Sequence, residues 1–248
     1  MQARFVVCAL VFLLSITATA QNQTPGDKAD LREQIVEKVC RGSEVRSGPE
    51  LEELHRVMQK LGPIINQDKQ HRTFVALANN NEINAWATNF NMTDSMICVP
   101  VAMVHFMGDA EGELAFILAH EIGHTIDDVC KTQQGRLAVA NSRGSLGAML
   151  GGLLGGEKGA AAASRVSQQR GCEARSDEIG FYIFAAAGFN PYDAAGAFGR
   201  LEMFMGDTNT GVLARLSALG SDHPMTPDRI KNMRTLLIKA TENSEKGQ

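Results

Sequence analysis

Aromatic residues are scarce in this 248-residue sequence, and long tracts of one charge are missing. Phe, Trp and Tyr together make up 6% of the chain, while aliphatic residues, alanine and glycine are abundant. This balance is less typical of a β-sandwich or a disordered chain than of a helix-rich globular protein. The chain carries 24 basic and 28 acidic residues, without a basic stripe or an arginine-rich tract. It therefore lacks the charge pattern of nucleic-acid-binding proteins, and we expect no nucleic acid among its partners.

The first apolar run is too short to cross a bilayer, which takes ~20 residues. It extends from Phe5 to Ile16, follows the basic Arg4 and precedes Ala18-Thr19-Ala20, a small-x-small cleavage pattern. These features predict a signal peptide over residues 1–20 and export to the periplasm or the medium, with an uncleaved membrane anchor as the alternative. The length of the remainder favours a single domain over residues 21–248.

The cysteines show no CxxC spacing, which excludes a zinc ribbon and a thioredoxin-type redox site. Outside the predicted signal peptide the chain has Cys40, Cys98, Cys130 and Cys172. In an oxidising compartment an even number favours two disulfides, and three pairings remain open. Buried free thiols are the alternative.

Apolar residues at helical spacing recur along the chain. They predict helices over residues 27–41, 49–66, 109–130, 164–187, 190–205 and 226–240. The third of these is apolar on nearly every face, which indicates a buried helix, and Asp109 is its predicted N-cap.

Three short runs are rich in β-forming residues: RTFVALA (72–78), INAWAT (83–88) and SMICVPV (95–101). The first two flank a polar turn at residues 79–81, which predicts hairpin strands. Helices that predominate over a small β-sheet indicate a helix-rich α+β fold.

The buried helix contains His120-Glu121-Ile122-Gly123-His124, the HExxH pattern. Its two histidines lie one turn apart on the same face, so both can direct ring nitrogens at one Zn²⁺, with Glu121 beside it as a general base. A chance match on a helix with core histidines is the alternative.

A catalytic zinc needs a third protein ligand, and the sequence offers acidic candidates. Glu173 and Asp177 lie one turn apart on a later predicted helix. One carboxylate can bind the metal while the other holds a ligand histidine by a hydrogen bond. A solvated acidic helix face is the alternative.

Taken together, the ordered motifs resemble the HtpX-like and CAAX-prenyl-protease-like zinc endopeptidases of peptidase family M48. The resemblance covers roughly residues 83–237. It rests on INAW (83–86), ELAFILAHEIGH (113–124), the acidic pair followed by Gly180, AGFNP (187–191) and HPMTPDRI (223–230). It implies a zincin-like core in which a small β-sheet packs on the HExxH helix. TNFNMTDS (88–95) departs from the usual proline-glycine turn, so the rim that receives substrate is expected to differ.

Carried over to this sequence, the resemblance implies one Zn²⁺ per chain. The implied ligands are His120, His124 and Glu173, with Glu121 as the base and Asp177 as a hydrogen-bond partner of a ligand histidine.

The motif HPMTPDRI (223–230) supplies further candidate site residues. The resemblance implies that His223 faces the active site and steadies the oxyanion, while a capping histidine is the alternative. Arg229 and Asn84 are candidates for substrate-binding or structural roles.

The implied activity is that of a zinc-dependent endopeptidase acting on polypeptides, in quality control of exported proteins. A deformylase-like hydrolase would need a glycine-cysteine ligand segment before the metal helix, whereas Gly171-Cys172 follows it. The remaining alternative is a chaperone or assembly factor whose zinc site is gated or silent.

Residues 143–165 are so rich in glycine that no firm helix is predicted there. We interpret the segment as an apolar surface loop, with a partly helical packing hairpin as the alternative. Because residues 144–163 lie between the two ligand-bearing segments, they are expected to contact a protein partner or a membrane surface, or to cover the cleft.

Overall fold

The computed structural model describes residues 25–65, 72–128, 130, 157–205, 223 and 226–246. These residues form a helix-rich α+β fold with one three-stranded sheet, as the sequence predicts. The elements are α1 (Pro25–Cys40), α2 (Pro49–Ile65), β1 (Arg72–Ala78), β2 (Trp86–Asn89), β3 (Asp94–Pro100), α3 (Val101–Met107), α4 (Glu111–Ile126), α5 (Glu157–Ala186), α6 (Pro191–Met205) and α7 (Pro227–Lys246).

The sheet has the strand order β1-β3-β2. β1 pairs with β3 in parallel and β2 pairs with β3 in antiparallel orientation, so the predicted hairpin between the first two runs is wrong. The physical reason lies in β3, whose residues 95–100 are all buried and therefore suit the centre of the sheet. The main chain of residues 43–45 bonds along the outer edge of β1, whereas β2 has no second neighbouring strand in the described part of the chain.

Helix α4 lies at the centre of the main core. Residues 114–125 of this helix are all buried, in agreement with the predicted apolar helix. It packs against α5 and α6, and it also contacts α2, β2 and β3. Phe116 of α4 meets Phe184 edge-on at 5.8 Å and Phe198 at 5.7 Å, which joins the three helices through aromatic packing.

Two glycines allow α4 and α5 to approach closely. A Cβ atom on Gly123 would lie 2.8 Å from the main-chain oxygen of Ser176, and one on Gly180 would lie 2.8 Å from the backbone of His120. Any larger residue would push the helices apart. The distance between the HExxH helix and the helix that carries Glu173 therefore depends on both glycines.

Several helix ends differ from the prediction. α4 begins at Glu111, and no side chain caps it, so the assignment of Asp109 as its N-cap is wrong. The short α3 was not predicted. α5 begins at Glu157 rather than near residue 164, so the end of the glycine-rich segment is helical, consistent with the run of four alanines at 160–163.

Residues 131–156, which include the rest of the glycine-rich segment, and the expected signal peptide lie outside the described residues. Among the residues described, none of the helices combines the length and the apolar character needed to cross a membrane.

Two disulfides join distant parts of the described chain. Cys40–Cys98 links α1 to β3 within a small apolar cluster, and Cys130–Cys172 links the chain beyond α4 to α5. The second bond ends one residue before Glu173. It thus ties the carboxyl end of the HExxH helix to the segment that carries the predicted third ligand.

Removing the first disulfide should lower stability without affecting metal binding. The Cys40→Ala/Cys98→Ala variant should lose about 2–5 kcal/mol of unfolding free energy, because the bond closes a loop of 58 residues in the unfolded chain. Urea unfolding and zinc analysis test this. The zinc content should not change, because neighbouring residues of a strand face opposite sides of the sheet and Cys98 faces away from α4. A variant that loses zinc while still folded would contradict this expectation.

Candidate metal centre

Four side chains bring nitrogen and oxygen atoms together between α4 and α5. His120 and His124 of α4, Glu173 of α5 and His223 each contribute one atom, and these atoms all lie within 4.8 Å of one another. The first three residues are at most 4% exposed. The helical turn between the histidines and the close α4–α5 contact thus place three predicted ligands at one buried point.

The distances within this cluster suit a single metal ion. His124 Nε2 lies 3.1 Å from His120 Nε2, and the two carboxylate oxygens of Glu173 lie 3.3 and 3.4 Å from these two nitrogens. Imidazole nitrogen and carboxylate oxygen are donors that Zn²⁺ accepts. Two histidines and a glutamate are also a set found in catalytic zinc sites. The residues present therefore fit the metal that the sequence predicts.

Glu121 lies beside the cluster with part of its carboxylate unpaired. It is 2% exposed, and its Oε2 atom has no hydrogen-bond partner among the described residues. Its Oε1 atom lies 3.5 Å from His223 Nε2. Because a buried, unpaired carboxylate oxygen is costly, this atom is suited to accept a proton or a hydrogen bond from a bound molecule.

His223 reaches the cluster from a different part of the chain. Its Nδ1 atom lies 3.1 Å from Glu173 Oε2 and 3.4 Å from His120 Nε2, so the residue faces the site. Burial lowers its pKa, but the Glu121 and Glu173 carboxylates outweigh burial and raise the pKa above its usual value. This histidine can therefore carry a proton beside the cluster.

Arg229 and Asp177 support the cluster from behind. Arg229 Nε and Nη2 each donate to one oxygen of Asp177 at 2.7 Å, and Nη1 lies 3.0 Å from Glu173 Oε2. Asp177 Oδ1 in turn lies 2.8 Å from His120 Nδ1, so the carboxylate faces the ring of this histidine. Because Arg229 is 5% exposed and engaged with both acids, the geometry indicates a structural role for it.

Charge determines the protonation of this buried set. Burial lowers the pKa of His120, but Asp177 and Glu173 outweigh burial and raise the pKa to about 10. Burial raises the pKa of Glu173, but His223, His124 and Arg229 hold it well below its usual value. Since an imidazolium must lose a proton before its ring can bind a metal, a metal ion bound here would displace a proton from His120.

Ser176 is a neighbour of the site that the sequence analysis missed. Its hydroxyl lies 2.9 Å from His124 Nδ1, and both side chains are buried. Ser176 is three residues after Glu173, so it occupies the same turn of α5. That spacing is the only signal in the sequence, and a serine in a helix ordinarily carries little information.

Asn84 is half-buried and lies two residues before β2. No described hydrogen bond or ion pair joins it to the cluster. Its proposed substrate-binding role stays a prediction.

Replacing Asp177 by alanine should weaken zinc binding by about 10- to 100-fold, because the residue faces a ligand histidine without belonging to the inner ligand set. Isothermal titration with zinc measures this effect. The matched control is Glu178→Ala, an exposed acid one residue further along α5. Complete loss of zinc from a folded variant would instead make Asp177 a ligand.

A model of peptidase family M48 matches residues 50–237 of the chain. A search of curated proteins found no significant match.

Proposed function

The chain belongs to peptidase family M48, whose members are metal-dependent peptidases, and on this premise we propose that it is a zinc-dependent endopeptidase. His120, His124 and Glu173 are the proposed ligands of one zinc per chain. The observation that carries the proposal is the convergence of these three side chains beside the unpaired Oε2 atom of Glu121.

Glu121 is the proposed general base. When bound, Zn²⁺ supplies a Lewis acid for the scissile carbonyl and for the attacking water. Glu121 takes a proton from that water and returns it to the leaving amine, so one carboxyl group serves both steps. His223, with its raised pKa, can donate a hydrogen bond to the oxyanion that develops on the substrate.

The edge of β2 is the proposed binding site for an extended substrate. This strand contacts α4, which carries the HExxH residues, and its outer edge has no strand partner within the described residues. A polypeptide can add there by main-chain hydrogen bonds, which select for an extended conformation more than for sequence. Such recognition favours unfolded chains over folded ones.

Quality control of exported proteins is the proposed role. The predicted signal peptide would bring the enzyme to the periplasm or the medium, where misfolded chains expose extended segments. A gated or silent zinc site in a chaperone is the competing proposal, and one distance favours it. His223 Nδ1 lies 3.1 Å from Glu173 Oε2 and 3.4 Å from His120 Nε2, close enough to occupy the position that a catalytic zinc leaves open for water.

Digestion of casein, an unfolded substrate, distinguishes these functions. We expect cleavage at internal bonds, shown by mass spectrometry of the products, and little cleavage of a stably folded protein of similar size. The chaperone proposal predicts suppressed aggregation of an unfolding client without any cleavage by the zinc-loaded protein. Release of terminal residues alone would overturn the assignment as an endopeptidase.

A further inference from the structure

The two histidines of the HExxH motif have different partners at Nδ1, the ring nitrogen that does not face the other proposed ligands. His120 Nδ1 faces the carboxylate of Asp177 at 2.8 Å, whereas His124 Nδ1 contacts the hydroxyl of Ser176 at 2.9 Å. An ionised carboxylate can only accept a hydrogen bond, but a hydroxyl can either accept or donate one. The two rings are therefore held by chemically distinct groups.

A neutral imidazole carries one N–H, and its position decides whether Nε2 can bind a metal. For His124 to bind through Nε2, the hydrogen must be on Nδ1, and the Ser176 oxygen then accepts it. The Nε2 atom lies 3.3 Å from Glu173 Oε1 and 3.1 Å from His120 Nε2, so it faces the other proposed ligand atoms.

We infer that Ser176 is a positioning residue for His124, whose hydroxyl accepts the Nδ1 hydrogen of the ring and leaves Nε2 free for the metal. The inference rests on the proposed zinc site. The contact holds the His124 ring with Nε2 toward the other proposed ligands.

The packing of α4 against α5 makes this contact a fixed one. Ser176 and His124 are 0% and 2% exposed. The missing side chain of Gly123, which lets the Ser176 backbone approach α4, brings the hydroxyl within reach of the ring. A buried ring nitrogen that loses its hydrogen-bond partner is left unsatisfied, because water has little access to it.

Ser176→Ala and the ¹⁵N spectrum of the wild-type histidines test the inference. Zinc titration should show that the variant binds the metal at least about tenfold more weakly than the wild type. The matched control is Ser95→Ala, which removes another buried hydroxyl; among the described residues it donates to Asn89 at 2.6 Å and forms no hydrogen bond with a histidine. The control should stay within about twofold of the wild-type affinity. In the zinc-loaded wild type, ¹⁵N shifts should place the His124 hydrogen on Nδ1.

The outcomes separate this inference from the proposed function. If the wild type binds zinc and Ser176→Ala binds it equally well, Ser176 does not position His124. A zinc-loaded wild type whose His124 hydrogen is not on Nδ1 would also overturn the inference, even if the alanine variant failed to fold. A wild type that binds no zinc at all would overturn the proposed function itself.

Discussion

Replacing Glu121 by glutamine is expected to lower peptide turnover by about 10²- to 10⁴-fold while zinc and fold are retained. Glutamine preserves the shape of the buried side chain, but its amide cannot take a proton from water. The Glu121 Oε2 atom has no hydrogen-bond partner among the described residues, so the substitution breaks no bond at that atom. Turnover of a fluorogenic peptide and zinc content should be measured on the same sample.

Glu52→Gln is the matched control for this experiment. It makes the same chemical change on an exposed part of α2, and its turnover should equal that of the wild type. If Glu121→Gln retains stoichiometric zinc and still cleaves the peptide at the wild-type rate, Glu121 is not the base.

Replacing Glu173 by alanine is expected to reduce zinc affinity by more than roughly 100-fold. A loss of that size is the most that typically follows removal of a residue that only hydrogen-bonds to a metal ligand. The carboxylate lies within 3.4 Å of both HExxH histidines, and its removal also takes a negative charge away from Arg229 and His223. Metal analysis after dialysis measures the effect. Glu173→Gln, which keeps the volume of the side chain, separates the loss of a ligand from a packing defect.

Retention of zinc by a folded Glu173→Ala variant would place the third ligand elsewhere. His223 is the residue best placed to take over, because its Nδ1 atom lies 3.4 Å from His120 Nε2. If His223 replaces Glu173 as the third ligand, the Glu173→Ala/His223→Ala double variant should lose the metal.

The residues of the candidate metal centre were predictable because their signal is mostly local. The helical period alone places His120 and His124 on one face, and the same period relates Glu173 to Asp177. The meeting of these two helices is not local, and only the ordered family motifs indicated it. The structure brings all four residues together, as expected.

Ser176 and the role of Arg229 could not be derived in this way. Both depend on how closely α4 and α5 approach each other and on where α7 begins in space. Neither distance can be read from the spacing of residues in the sequence. Gly123 and Gly180 set the first of these distances, yet glycine in a helix has several common explanations.

The strand order of the β-sheet was also not predictable from the sequence. The three β-rich runs were identified close to their observed bounds, but their pairing was not. A polar turn between two runs favours a hairpin, whereas burial of β3 on both faces places that strand between the other two. Strand order is decided by non-local packing, which a single sequence does not display.

Reconstitution of the zinc-free protein tests the central claim most directly. The protein should be stripped with a chelator, dialysed, and titrated with zinc while casein cleavage and bound metal are both recorded. We predict that cleavage disappears with the metal and returns in proportion to zinc, reaching its maximum at one ion per chain. Cleavage that persists at the original rate after the zinc has been removed would contradict the account.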